Sequence, residues 1–422
     1  MKSNTLANKL SEAGHLVASG QLIKAQKAYK KLLQQHPRHK DVLMNYGCIS
    51  LVFGDPASAE RAWQALQKRH PADARLLLKI GHNCANLRAT EMAQKYYEVA
   101  AQADRKALDP RISLASLHEK GHHFQAAREV IQECFRIARK DDQVRYFSAF
   151  LYFREDKLDV AETELRDLIA SNPRHEFVWY ASRYILAEIL DKTGRYDEAM
   201  RYLIEAKNYV RNLPFTIKLI EKRGKAKDDL LKSLKGIPKD FIARAAKKVS
   251  SRTRKETCPF AFLGGNPRSG TTLLEQILGS HPQVVAADEP SWAFIPSEAI
   301  RPTAPVSQLK AARKQYIKFI EHSVGIVPEG KLLLEKNPGM TTEIPNLLRL
   351  FPDMRLLIAL RDPRDIILSI YFQNIALNHV RFFTLEEYAK AYEVLMGVWL
   401  IVREWTGFSW METRYEDIVS DT

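Results

Sequence analysis

Only four cysteines, Cys48, Cys84, Cys134 and Cys258, occur in 422 residues, and none is part of a CxxC pair. That spacing argues against a disulfide framework and against a zinc ribbon. The sequence has no apolar run of about 18 residues, so no transmembrane helix is predicted. Met1-Lys-Ser-Asn-Thr-Leu6 lacks the apolar core of a signal peptide and leads into a polar amphipathic pattern; the chain is read as cytoplasmic. The twelve histidines show no metal-ligand spacing, and no metal is expected. Lysine and arginine number 64 against 50 aspartates and glutamates, a net charge of +14. Such an excess either favours a polyanionic partner or is the ordinary balance of a basic protein. No compact run of six or more basic residues occurs, so nucleic acid is not the expected partner. With 45% apolar and 27% charged residues the chain is neither disordered nor fibrous, and its length exceeds one compact core.

The first half repeats. A small residue recurs at Ala25, Ala59, Ala93, Ala126, Ala161 and Ala199, with steps of 34, 34, 33, 35 and 38 between successive numbers. Five residues before each lies a turn position: Gly20, Gly54, Arg88, Gly121, Asp156 and Gly194. Four residues after each stands an apolar one: Tyr29, Trp63, Tyr97, Val130, Leu165 and Leu203. Pro37, Pro71 and Pro173 close the first, second and fifth units. Gly194-Arg-Tyr-Asp-Glu-Ala199 resembles the turn into the second helix of a tetratricopeptide repeat, and the period agrees. Residues 1–212 are therefore expected to form an all-α solenoid of about six helical hairpins, the alternative being an irregular helical bundle. A solenoid offers a concave groove to a protein or peptide. Residues 213–256 read as a helical basic linker, enriched in charge over Lys222–Lys255, which either docks the solenoid or collects an acidic substrate.

Residues 257–422 change rhythm. Strands are predicted at Phe260–Leu263, Gln283–Ala287, Lys331–Leu334, Arg355–Leu360 and Ser409–Thr413. Helices are predicted at Thr271–Leu278, Thr342–Leu350, Pro363–Leu377 and Leu385–Trp405. Strands alternating with helices imply an α/β domain with a parallel sheet. Tyr371, Phe372 and Trp399 read as core aromatics. Gly265-x4-Gly270-Thr-Thr has the spacing of a phosphate-cradling P-loop, with Thr271 where a lysine normally follows. Glycines let successive N–H groups turn inward, and a helix starting near Thr271 adds its positive end. Arg268 can supply the missing charge. A nucleotide kinase or NTPase is the rival reading, because Leu356–Asp362 also passes for a strand carrying a magnesium-binding aspartate. The absent lysine and the flanking arginines weigh against it.

Phe262-Leu-Gly-Gly-Asn-Pro-Arg-Ser-Gly-Thr-Thr-Leu-Leu-Glu-Gln-Ile-Leu-Gly-Ser-His-Pro282 resembles the 5′-phosphosulfate loop of sulfotransferases, which use 3′-phosphoadenosine 5′-phosphosulfate (PAPS) as donor and need no metal. Leu360-Arg-Asp-Pro-Arg-Asp-Ile-Ile-Leu-Ser369 resembles their 3′-phosphate segment. The chain as a whole looks like bacterial proteins that join tetratricopeptide repeats to a sulfotransferase domain similar to tyrosylprotein sulfotransferases. The resemblance implies a cofactor-binding set of Gly265, Arg268, Ser269, Gly270, Thr271, Thr272, Arg361, Ser369 and Tyr415. It implies a catalytic set of Glu289 as base, with Arg268 and Lys336 neutralising charge; Asp288 is a rival base. It also implies a domain running on past Arg414-Tyr-Glu-Asp417, so residues 257–422 are expected to be C-terminally shortened. The expected reaction is sulfuryl transfer to a hydroxyl, with protein tyrosine the first choice. A carbohydrate acceptor, or a non-catalytic repeat adaptor carrying a relic P-loop domain, are the alternatives.

Overall fold

The computed structural model describes residues 5–221, 226–248, 259–290, 305–374 and 382–421. Cys258, residues 222–225 and 249–256 of the expected linker, and the last three residues of the helix expected to end at Leu377 lie outside them. The chain divides into two compact units, residues 1–217 with 372–380, and residues 218–371 with 381–422. Among the described residues no helix is long and apolar enough to cross a membrane.

Among its described residues the first unit contains six helical hairpins: Leu6–Ala18 with Leu22–Gln35, Lys40–Val52 with Pro56–Arg69, Ala74–Asn86 with Thr90–Ala103, Asp109–Lys120 with Phe124–Ile137, Asp142–Arg154 with Leu158–Ala170, and Glu176–Lys192 with Tyr196–Arg211. Helix starts carry their own signals. Asp55, Asp73 and Asp141 accept hydrogen bonds from the backbone N–H groups of Ser58, Leu76 and Val144. The repeat is more regular than its expected register in one unit. The buried alanine of the fourth hairpin is Ala127, at 0% exposure, and not Ala126, which is half-buried. The turn residue is correspondingly His122, not Gly121, and the apolar partner is Ile131, not Val130. With that shift every turn residue, Gly20, Gly54, Arg88, His122, Asp156 and Gly194, has φ between 58° and 78°. The glycine at 121 drew the sequence reading one position early.

A second small position, absent from the sequence reading, lies on the other helix of each pair. Gly47 faces Trp63, and Gly81 faces Tyr97, so closely that a Cβ would lie 2.3 Å and 2.5 Å from the ring. Trp63 is fully buried and its indole N–H donates to the carbonyl of Met44 at 3.3 Å. A ring fixed in this way cannot yield to an added methyl group.

The second unit is built on a parallel sheet of β1 (Phe260–Gly265), β2 (Val284–Asp288), β3 (Leu332–Lys336), β4 (Arg355–Leu360) and β5 (Ser409–Arg414), in the order β2-β3-β1-β4-β5. β1 is buried along its whole length because it is central and covered on both faces. Its side chains alternate. Phe260 and Phe262 join Leu333, Tyr316, Phe351, Ile358 and Trp399 in one core, while Ala261 and Leu263 join Leu274, Leu334 and Ala359 in the other. The described part of the expected linker from Lys218 onward belongs to this unit: its helices Ala226–Lys235 and Phe241–Lys248 bury Leu234 and Ile242 in the first core. The long helix Val306–Val324 was not anticipated. The helix starting at Pro363 ends at Tyr371. Tyr371 and Trp399 are buried as expected, whereas Phe372 is half-buried.

β3 carries a carboxyl into the core. Glu335 is fully buried, and the Tyr316 hydroxyl donates to its oxygens at 2.9 and 3.1 Å. Burial pushes this carboxyl up from an ordinary value of 4.5 to about 7, against the hydrogen bonds from Tyr316 and Asn337.

Two outcomes are expected. Gly47→Ala should destabilise the full chain by about 1–3 kcal/mol by overpacking against Trp63, whereas Gly14→Ala, with open space around it, should not; calorimetric unfolding of both variants checks this. Between pH 4.5 and about 7 folded Glu335 keeps a proton that the unfolded chain has released. Stability should therefore fall as pH rises through that window, by at most about 1.4 kcal/mol per unit, and level off above it. Denaturant titrations at several pH values should find that contribution to the slope missing in Glu335→Gln.

Candidate active site

The sheet order places β3 and β4 on either side of β1, so the connections after β1 and β3 leave in different directions and open a crevice at the carboxyl edge. The loop 266–270 sits there. Gly265 has φ of +134°, and a Cβ on it would lie 2.5 Å from the carbonyl oxygen of Ala359. Gly270 has φ of +85°, caps the helix Thr271–Gly279, and would meet the Tyr415 ring at 2.5 Å if it carried a Cβ. Both glycines are required by conformation and by space. The helix directs its first N–H groups and positive end at the loop.

Cations surround this turn. Arg268 is in the left-handed region at φ of +76°, and its Nε donates to the Ser369 hydroxyl at 2.9 Å. Arg361, at the end of β4, donates to the carbonyl of Arg268 at 3.2 Å, pairs with Asp365 at 3.6 Å and lies 4.4 Å over the Tyr415 ring. Arg268, Arg361, Ser369 and Tyr415 thus meet, although up to 147 positions separate them in sequence (415 − 268). Asp362, which the magnesium-dependent reading would use, turns to Arg364 instead. It accepts from that residue's backbone N–H and guanidinium at 2.7–3.0 Å, which holds its carboxyl down at about 2.

On the other side of the crevice Lys336, at the end of β3, is 3% exposed. Its ammonium donates to Asp288 and, at 2.9 Å, to Glu289. Burial opposes the charge on Lys336, and the two carboxylates outweigh it, leaving the ammonium above its ordinary value. The backbone N–H of Glu289 donates to the carbonyl of Lys336 at 2.8 Å, which extends the β2–β3 pairing by one step. Glu289 itself adopts φ of 44°.

A cavity of about 300 Å³ is lined by Pro267, Arg268, Gly270, Thr271, Thr272, Glu289, Pro338 and Arg361. Lys336 joins it through Glu289, and Ser369 through Arg268. The Ser269 hydroxyl, 1% exposed, and Arg361 Nε are buried without a hydrogen-bond partner among the described residues. Unpaired buried donors beside a glycine turn and a helix N-terminus fit an anionic ligand with several oxygens. Sequence reasoning missed Thr341, whose buried hydroxyl lies against Gly265 (2.7–2.9 Å). It stands in Met340-Thr-Thr342, with no motif to mark it, 76 residues from its partner (341 − 265).

Both halves of the chain resemble known proteins. Residues 259–422 match the sulfotransferase family model, residues 180–209 that of the tetratricopeptide repeat, and residues 15–178 that of intraflagellar transport protein 56. Protein-tyrosine sulfotransferase A of Caenorhabditis elegans is 30% identical over 133 residues, covering 29% of this chain and 35% of that protein. Nodulation protein NoeE of Sinorhizobium fredii is 31% identical over 127 residues, 26% of this chain and 30% of that protein. The solved structure of MamA is 20% identical over 37% of this chain and 89% of its own, with a TM-score of 0.30. The chain spans about a quarter to two fifths of the length of the curated relatives it matches. Residues 259–422 are a domain of the sulfotransferase family, joined in one chain to tetratricopeptide-type repeats.

Proposed function

We propose that the protein transfers a sulfuryl group from PAPS to a hydroxyl acceptor, and that the acceptor is a tyrosine on a protein or peptide. The observation that carries this reading is the convergence of a lysine-free anion loop, two arginines and a carboxylate–ammonium pair on one cavity, within a sulfotransferase-family domain. The loop N–H groups, Arg268, Ser269, Thr271 and Thr272 would take the 5′-phosphosulfate. Arg361 and Ser369 would take the 3′-phosphate, with Tyr415 beside the nucleotide.

Glu289 would accept the proton of the attacking hydroxyl. A bond then forms between the acceptor oxygen and sulfur, and the bond from sulfur to the bridging oxygen of the 5′-phosphate breaks, leaving adenosine 3′,5′-bisphosphate. Arg268 and Lys336 would offset the charge growing on the bridging and equatorial oxygens. Lys336 already engages Glu289, so an arriving donor competes for the ammonium and releases the base. The choice of tyrosine is supported by relatives named as protein-tyrosine sulfotransferases. The first unit supports a protein or peptide partner: it holds a cavity of about 790 Å³ whose lining includes Tyr97, Tyr146, Phe147, Phe150, Phe177 and Tyr180.

Labelled PAPS offered with tyrosine-containing peptides tests the reading directly. Glu289→Gln should lower transfer by about 10²- to 10⁴-fold while calorimetry finds adenosine 3′,5′-bisphosphate still bound; equal rates in variant and parent would remove Glu289 from the mechanism. Arg361→Ala should weaken adenosine 3′,5′-bisphosphate by about tenfold or more while changing the affinity for adenosine 5′-phosphate much less. Equal losses for both nucleotides would contradict the 3′-phosphate assignment.

A further inference from the structure

Gly265 is the last residue of β1, and its backbone sets the direction in which residues 266–270 leave the sheet. At φ of +134° it is turned out of strand geometry, so its polar groups need partners from elsewhere. Thr341 supplies them. Its hydroxyl accepts from the Gly265 N–H at 2.9 Å and lies 2.7 Å from the Gly265 carbonyl oxygen and 2.9 Å from that of Pro338. One hydroxyl proton serves the two carbonyls in turn, while the oxygen keeps the Gly265 N–H. Thr341 is fully buried, so water cannot replace it.

Thr341 belongs to the 3₁₀ turn Pro338–Glu343, which begins two residues after Lys336. Pro338 lines the cavity. The backbone N–H of Asn337 donates to the carbonyl of Leu263 at 3.1 Å, and that of Met340 to Asn337 at 3.0 Å. The end of β3 and the start of the anion loop are therefore tied twice, once by main chain and once by this side chain. The main-chain tie holds Leu263, while the hydroxyl reaches the glycine where the loop turns.

We propose that Thr341 is a positioning residue for the anion loop: its hydroxyl, and not its methyl group, fixes the orientation of Gly265 and with it the N–H groups that grip the donor. The proposal rests on the reading that the loop binds a 3′,5′-bisphosphate nucleotide. Removing the hydroxyl while keeping the volume leaves the Gly265 N–H buried and unpaired, and the chain must rotate to satisfy it. That rotation moves the loop against Lys336 and Arg361, which stay where their strands put them.

In the full chain, Thr341→Val should raise the dissociation constant for adenosine 3′,5′-bisphosphate by about tenfold or more, whereas Thr341→Ser should stay within about twofold of the parent. Rescue by serine separates the hydroxyl from simple packing. A valine variant that binds like the parent overturns the proposal, and so does a serine variant as weak as valine. Hydrogen exchange at the Gly265 amide of the unaltered protein needs no variant: slow exchange is expected, and exchange at the rate of an open loop overturns the assignment. If the parent takes up no nucleotide, the sulfuryl-donor reading falls, while the exchange measurement still decides whether Thr341 holds Gly265.

Discussion

Lys336 carries its charge where 3% of its side chain meets water, and an ammonium in that position is tolerated only with anions against it. Those anions are Asp288 and Glu289, both at the end of β2. The pairing does two things at once. It closes the β2–β3 edge electrostatically, next to the backbone hydrogen bond from Glu289 to Lys336, and it holds the proposed base beside the cation that would face the transferring group. A buried pair is weak evidence for stability, because desolvation offsets most of the attraction. Its value here is geometric: a charge that cannot relax into solvent keeps its partners in place.

Two carboxylates on one ammonium also explain how the pair can be both stable and usable. Were Glu289 the sole partner, releasing it would strand a buried cation, at a cost of several kcal/mol. With Asp288 in place, an incoming anion can displace one carboxylate while the ammonium keeps another. In the proposed mechanism Asp288, the rival base of the sequence reading, would be the counter-charge that lets Glu289 leave. Glu275 adds to this field: burial and the nearby Asp288 raise its pKa, the opposite response to that of a carboxylate facing only cations.

The repeat period, the alternation of strands and helices, and the loop Gly265–Thr272 were legible because each is a local pattern, read within a few residues of its cause. The one register slip followed from the same locality. Gly121 is the residue expected at a turn, yet His122 takes the left-handed conformation. Chemistry at the turn misled where the 34-residue spacing did not. Thr341, Glu335 and Tyr316 were not legible, since each matters through a partner far away in sequence. The linker was read as helical connectors that dock the solenoid or as a basic surface, and Leu234 and Ile242, one on each of two separate helices, are core residues of the sheet unit that no motif marks.

Left-handed backbone occurs in both units. Left-handed positions occur at every hairpin turn of the first and at Gly265, Arg268, Gly270 and Glu289 of the second. In the turns, arginine, histidine and aspartate take the place of glycine, and nothing stands within 4 Å of where a Cβ on Gly194 would be. At Gly265 and Gly270 that exchange is barred by the Ala359 carbonyl and the Tyr415 ring. Arg268 and Glu289 are the informative cases. A non-glycine residue in this region costs on the order of 1–3 kcal/mol, and it persists only where the surroundings hold it. The surroundings here are Ser369 and Arg361 for the first and Lys336 for the second. Among the described residues of the sheet domain, the two non-glycine residues with positive φ are therefore two of those to which the proposed chemistry assigns charge and proton transfer, held by the others in the same set.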